Sequence, residues 1–73
     1  MVSNEQVKIK AMATIRNILE KNEEPVKFSF LTLYISETFG LGQLFIKKYI
    51  LNLEDLEYVV FDKVKNTVLW INR

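Results

Sequence analysis

One proline and two glycines divide this chain into apolar blocks, and no segment of it repeats. Pro25, Gly40 and Gly42 all fall between blocks whose apolar residues recur at helical or strand spacing. Proline disfavours helical geometry in the residue before it, and glycine adopts at little cost the positive φ that ends many helices. We therefore expect residues 1–73 to form one small domain of short elements that turn at these three residues.

The first block carries a helix-start signature. Ser3 is placed to cap a helix, and Gln6, three residues later, is placed to complete a capping box. Apolar residues then recur at steps of three and four, which predicts an amphipathic helix from about Asn4 to Lys21. Lys8 and Lys10 of this helix are expected to face water.

The first helix is expected to end near residue 22, and the block after it has features of both a strand and a helix. Asn22 is expected to end the helix, because asparagine tolerates the left-handed conformation. The next block, Val26–Phe39, carries both a strand alternation and helical faces. We predict a short strand over Val26–Phe28, then a helix that Ser29 caps and the first glycine ends. A continuous strand over Val26–Ile35 is the alternative that the sequence leaves open.

Two further blocks complete the chain. Residues from Gly42 to Leu56 have an apolar side and a polar side at helical spacing, which predicts a third helix. Two β-rich runs, Tyr58–Asp62 and Thr67–Ile71, then flank Lys63–Asn66 and predict a hairpin with a basic tip.

The predicted hairpin is apolar on both faces. With Lys65–Asn66 as a two-residue turn, Phe61 pairs with Trp70 on one face and Val60 pairs with Ile71 on the other. One face can cover the three helices. The other needs a cover, which is either the first helix or a second copy of the chain, and we expect a homodimer.

The order helix, short strand, helix, tight turn, helix, hairpin, together with the segment Phe39–Ile50, resembles the winged helix-turn-helix superfamily of DNA-binding domains. The residues that match the family's turn and third helix are Gly40, Leu41, Gly42, Ile46, Lys47, Lys48 and Ile50. Leu53–Val59 then follows the family's approach to the wing, with Glu57 where glycine is usual. The resemblance covers nearly the whole chain. It implies an α+β fold with three helices, a short strand and a C-terminal β-hairpin wing.

The resemblance also implies which residues meet DNA, since the family lays its third helix in the major groove and its wing along the backbone. Lys47 and Lys48 lie in a stretch with no acidic residue between Glu37 and Glu54, opposite the predicted core. Gly42 offers a phosphate only its backbone N–H. The expected DNA-binding residues are Gly42, Gln43, Leu44, Lys47, Lys48, Lys63 and Lys65. A two-fold dimer would read half-sites about 34 Å apart.

Several other functions are excluded by what the sequence lacks. Without Cys or His, the chain has no disulfide, no Cys/His zinc site and no Ser-His-Asp triad. No Gly-rich phosphate loop occurs, and no carboxylate pair lies in an apolar run that would raise its pKa for acid–base work. We therefore expect no enzyme activity, no cofactor, no metal and no small-molecule ligand.

The expected location follows from segments that the sequence does not contain. The uncharged stretch Phe28–Ser36 spans only nine residues, too few to cross a bilayer, and the first residues lack the pattern of a secretory signal. We expect a cytoplasmic, DNA-associated protein, in the host cytoplasm if it is viral.

The expected function is sequence-specific binding of double-stranded DNA by a small, homodimeric transcription regulator. In composition the chain is similar to small regulators of thermophilic archaea and of their viruses and plasmids. The alternative is a winged-helix interaction module that docks onto another protein through Leu44, Leu51 and the hairpin without touching DNA. The net charge of only +1 favours this alternative.

Overall fold

The structure, a computed structural model, describes residues 4–73. Its elements in chain order are α1 (Asn4–Lys21), β1 (Val26–Lys27), α2 (Phe28–Phe39), α3 (Gln43–Asp55), β2 (Val59–Asp62) and β3 (Thr67–Trp70). The strands form one antiparallel sheet in the order β1-β3-β2. The protein is therefore α+β, with three helices and a three-stranded sheet, and the prediction of a strand followed by a helix is confirmed. None of the described helices is long and apolar enough to cross a membrane.

The core lies where the three helices meet one face of the sheet. Every helix contributes three buried apolar residues at steps of three or four, which is the spacing that predicted the helices. The buried residues are Ala11, Ile15, Leu19, Phe28, Leu31, Ile35, Ile46, Ile50, Leu53, Val59, Phe61, Val68 and Trp70. No polar or charged side chain of residues 4–73 is buried with them.

N-caps were predicted for α1 and α2, and the structure describes only the one before α2. The predicted capping box of α1 depends on Ser3, which lies outside the described residues. In α2 the prediction of Ser29 as the cap is wrong, because Lys27 is the N-cap and Ser29 lies inside the helix. The helix begins early because the backbone N–H of Phe28 donates to the carbonyl of Asn66 at 2.9 Å, a contact with the hairpin. The short strand accordingly ends one residue earlier than predicted.

The end of α1 is held by side chains. Asn22 does not adopt the positive φ that was predicted for it. Its side-chain amide instead donates to the carbonyl of Ile18 at 2.7 Å. The Arg73 guanidinium donates to the carbonyls of Glu20 and Asn22 at 3.1 and 2.6 Å. These bonds satisfy carbonyls that the last turn of a helix leaves without partners.

Residues with positive φ follow the other two helices. Gly40, with a φ of 71°, ends α2 as predicted. Glu57, with a φ of 63°, follows α3 at the position where the winged helix family usually has glycine. There the N–H of Glu57 donates to Glu54 and that of Tyr58 to Leu53, both at 2.9 Å, which together form a Schellman motif.

The hairpin register differs from the predicted one by two residues. Phe61 pairs with Val68 and not with Trp70, and Val60 no longer faces Ile71. A shift of two residues keeps every side chain on its predicted face. The second apolar face is therefore present, and α1 does not cover it, since Val60 and Ile71 are 48% and 47% exposed.

The register is set by the side chain of Asp62. Its Oδ1 accepts the backbone N–H groups of Val64 and Lys65, each at 3.0 Å, and Asn66 adopts a φ of 57°. An aspartate that bonds backbone two and three residues ahead stabilises a turn that starts at itself. The loop is therefore the four residues 63–66, and the predicted two-residue turn is wrong.

Candidate nucleic-acid interface

α3 presents the predicted recognition residues on the side away from the core. Its three buried residues fix its rotation against α2 and the sheet. Gln43, Leu44, Lys47 and Lys48 are all exposed, and Leu44 is 84% exposed. An apolar side chain so open to water, next to two lysines, gives this half of the helix both a positive and an apolar contact surface.

The charges along α3 are segregated. Its acidic residues, Glu54 and Asp55, lie in the last turn, and its lysines lie in the first half. Within residues 4–73 the ion pair closer than 4.0 Å joins Arg16 and Glu20, so Lys47 and Lys48 make none with a described carboxylate. The first half of α3 therefore adds two unpaired cations to the positive end of the helix dipole.

The start of α3 is open to a ligand. Gly42 is the N-cap, with a φ of −84° and a ψ of 170°, and no side chain caps the helix. That backbone conformation is available to any residue, and a Cβ at Gly42 would have nothing within 4 Å. The first-turn N–H groups of α3 are thus not capped by a side chain, a geometry that suits an anion.

A shallow groove of about 230 Å³ separates the first half of α3 from α1. Lys8 of α1 and Lys48 of α3 both line it, and the Lys8 ammonium lies 6.0 Å from the centroid of the Phe45 ring. The other lining residues are Met12, Tyr49 and Asn52, so no carboxylate borders the groove. Lys8 is exposed, as predicted, but it lies beside the exposed face of α3, a position that the pattern within α1 did not predict.

A second groove, of about 300 Å³, borders the start of α3 on its other side. Gln43 from α3 and Asn66 from the hairpin loop both line it, so the loop lies next to the first turn of α3. The remaining lining residues, all from α2, are Phe28, Ser29, Thr32, Leu33 and Ser36. This side of α3 offers hydroxyl and amide groups, and again no carboxylate.

The hairpin loop projects two cations around an apolar tip. The bonds from Asp62 hold the backbone of Val64 and Lys65 in place. Lys63, Val64 and Lys65 are exposed, and Val64 is 96% exposed. Val64 was not among the predicted site residues, although its position between two lysines of a predicted loop was the signal for it.

A carboxylate joins α3 to the hairpin. Oε2 of Glu54 accepts the backbone N–H of Phe61 in β2 at 3.0 Å, and Glu54 is half-buried. This bond runs from the last turn of α3 to an edge strand of the sheet. It helps to fix the angle between the helix that carries Lys47 and Lys48 and the loop that carries Lys63 and Lys65.

Arg16 is engaged elsewhere in the fold. Its guanidinium carbon lies 5.7 and 5.5 Å from the ring centroids of Tyr58 and Trp70, and it pairs with Glu20 at 3.8 Å. Burial raises the pKa of the nearby Tyr49, while the charge of Arg16 lowers it and that of Glu20 raises it. Arg16 thus serves an aromatic cluster and does not add to the positive face of α3.

Comparisons with protein-family models, curated proteins and solved structures returned no match. The resemblance to winged helix-turn-helix domains therefore rests on element order and motif spacing alone.

Proposed function

We propose that this chain is a winged helix-turn-helix protein that binds double-stranded DNA and acts as a small transcription regulator. In this proposal α3 lies in the major groove, and the β2–β3 hairpin lies along the backbone as the wing. The observation that carries the proposal is the first half of α3, where Leu44 is 84% exposed beside the unpaired Lys47 and Lys48. Helix-turn-helix proteins read DNA with this part of the recognition helix.

Each exposed group has a role in the proposed complex. Gln43, Lys47 and Lys48 donate hydrogen bonds to base edges or phosphates, and Leu44 contacts a thymine methyl group. The uncapped N–H groups after Gly42 bind a phosphate.

Lysines on the two flanks extend the contact to the DNA backbone. Lys8 meets the backbone beside α3, since it shares a groove with Lys48. Lys63 and Lys65 meet the backbone on the hairpin side.

The proposal also covers assembly and chemistry. We propose a homodimer in the cytoplasm, bound to DNA and acting without a cofactor or catalysis. The carboxylates of the chain favour a non-catalytic role, because Glu54 is occupied by the N–H of Phe61 and Glu23 and Glu24 are exposed.

A protein-docking module is the second candidate, and the exposure of Leu44 favours it. A large apolar side chain on an exposed helix face is also what a protein partner would cover. The two candidates differ in their dependence on salt, because binding through phosphates releases counterions and burial of leucine does not.

The test is a fluorescence titration of random duplex DNA with the whole chain at several salt concentrations. DNA binding predicts an affinity that falls steeply with salt, and Lys47→Ala/Lys48→Ala should lower the log–log slope by about 2. Lys10→Ala/Lys21→Ala removes the same charge from α1 and serves as the matched control. An affinity that ignores salt, or an equal loss in both double variants, would contradict the proposal.

The flank beside α1 has its own pair of variants. Lys8→Ala should lower the salt slope by about 1, whereas Lys10→Ala in the same helix should leave it unchanged. Equal effects of the two substitutions would show that Lys8 acts only through net charge.

A further inference from the structure

α2 is apolar on both sides. Its core side buries three residues, and its outer side carries Phe30, Leu33 and Tyr34, which are between 43% and 60% exposed. The rings of Phe30 and Tyr34 stack with centroids 6.1 Å apart, and Leu33 lies about one turn after Phe30 on the same outer side. These three residues are the exposed stripe of α2. A cluster of large apolar side chains exposed on the outer side of a helix marks a contact surface. The described residues cover only the inner side of α2.

Two charged residues flank this stripe, and each lies at the end of the helix where the dipole disfavours its charge. Lys27, the N-cap, and Glu37, in the last turn, are the charged residues between positions 27 and 39, and both are exposed. A helix dipole favours anions at the N-terminus and cations at the C-terminus. In the isolated chain each of these charges therefore opposes the dipole of α2.

We infer that α2 packs antiparallel against α2 of a second copy of this chain, across a two-fold axis near position 32. An axis that places Lys27 opposite Glu37 of the second copy also places Phe30 opposite Tyr34 of the second copy, because both pairs are symmetric about that position. Steps of three and four residues keep Phe30, Tyr34 and Glu37 on one side of the helix, and Lys27 lies at its start as the N-cap. The charged pair and the aromatic pair thus point to the same axis.

The antiparallel arrangement also corrects both dipole mismatches. Glu37 of the second copy lies near the positive N-terminus of α2, and Lys27 of the second copy lies near its negative C-terminus. A parallel arrangement would instead bring the two Lys27 side chains together and the two Glu37 side chains together. The charges therefore select the antiparallel pair.

A groove beside the stripe enlarges the surface. It measures about 460 Å³ and is lined by the two stacked rings together with Ile18, Lys21, Asn22, Pro25 and Val26. A two-fold axis doubles both the stripe and the groove.

The inference rests on the proposed function, which calls for a two-fold dimer, but its test needs no DNA. Sedimentation equilibrium of the whole chain from about 1 µM to about 1 mM should show a monomer–dimer equilibrium. Leu33→Asp should leave only monomer, with an unchanged circular dichroism spectrum because Leu33 is 60% exposed. Val60→Asp, on the exposed sheet face, is the matched control and should still dimerise.

A charge exchange tests the axis. Lys27→Glu or Glu37→Lys alone should weaken the dimer about tenfold, since each creates two like-charge contacts. Lys27→Glu also places an anion at the positive N-terminus of α2, which should not destabilise the fold. Weaker association of this variant with unchanged stability would therefore show that the substitution acts on the interface and not on folding. Lys27→Glu/Glu37→Lys should associate more tightly than either single variant.

Different results overturn the interface, its axis and the proposed function. A chain that stays monomeric at the highest concentration overturns the inference, as does a dimer that survives Leu33→Asp or is lost with Val60→Asp. A double variant weaker than both single variants overturns the proposed axis. A dimer with these properties that ignores duplex DNA supports the interface and refutes the proposed function. A monomer that binds duplex DNA overturns the interface and the proposed homodimer but supports DNA binding.

Discussion

Replacing Glu57 with glycine should stabilise this protein. Glu57 has a φ of 63° in the Schellman motif after α3. A left-handed conformation costs a residue with a Cβ about 1–2 kcal/mol, and glycine avoids that cost. Glycine in turn loses about 0.5–1 kcal/mol more backbone entropy on folding. The difference predicts that Glu57→Gly raises the free energy of unfolding by about 0.5–1 kcal/mol.

The assay is urea unfolding followed by circular dichroism, together with a thermal melt. For a chain of this size the predicted gain corresponds to a rise in Tm of about 2–8 °C. Glu57→Ala is the necessary control, because it removes the same carboxylate but keeps the Cβ. If Glu57→Gly is no more stable than Glu57→Ala, the reasoning from backbone strain is refuted.

The two natural glycines provide the reverse comparison. A Cβ at Gly40 or at Gly42 would have no neighbour within 4 Å, so the two positions differ only in their backbone conformation. Gly40→Ala, at a φ of 71°, should lower the free energy of unfolding by about 1 kcal/mol. Gly42→Ala, at −84°, should change it by only about a few tenths, because the poorer N-cap offsets the lower entropy of the unfolded chain. Equal effects would again contradict the strain argument.

Three further predictions concern other contacts. Burial raises the pKa of Tyr49 above its ordinary 10.0, so this tyrosine ionises at lower pH in the unfolded chain than in the folded one. The protonated tyrosine therefore stabilises the fold fully below pH 10, and its contribution is lost as the pH rises through the pKa of the folded state. As the pH rises above 10, the free energy of unfolding of Tyr49→Phe, measured in urea, should therefore fall less than that of the unsubstituted chain. Glu54→Ala leaves the N–H of Phe61 without its acceptor and should cost about 1–2 kcal/mol, whereas Glu54→Gln should cost less than about 0.5. Arg73→Ala removes two bonds to the last carbonyls of α1 and should cost about 1 kcal/mol by the same measurement.

The helices were predictable because their signals are local. A run of residues at steps of three and four places one face of a helix in the core wherever that helix lies, and Gly40 takes the positive φ that its place predicted. The start of α2 was not predictable, since the N–H of Phe28 bonds Asn66, nearly forty residues away in sequence. The hairpin register also failed, because the alternation of apolar residues does not show which turn Asp62 stabilises.

The candidate site divides in the same way. The period of α3 alone indicates that Lys47 and Lys48 point away from the buried Ile46 and Ile50. The position of Lys8 depends on how α1 packs beside α3, and no pattern within α1 contains that information. The sequence therefore predicts which face of α3 is exposed, but it does not predict which residues of neighbouring elements lie beside that face.

The bond between Glu54 and Phe61 bears on how copies of this protein can aggregate. Open sheet edges recruit strands from other molecules and so seed fibrils. Here one edge, β1, is only two residues long, and the other, β2, has the amide of Phe61 already bound by the Glu54 carboxylate. Strand addition at either edge would therefore find few free backbone groups. Removing this carboxylate should expose the β2 edge and favour amyloid-like growth over ordered association through side chains.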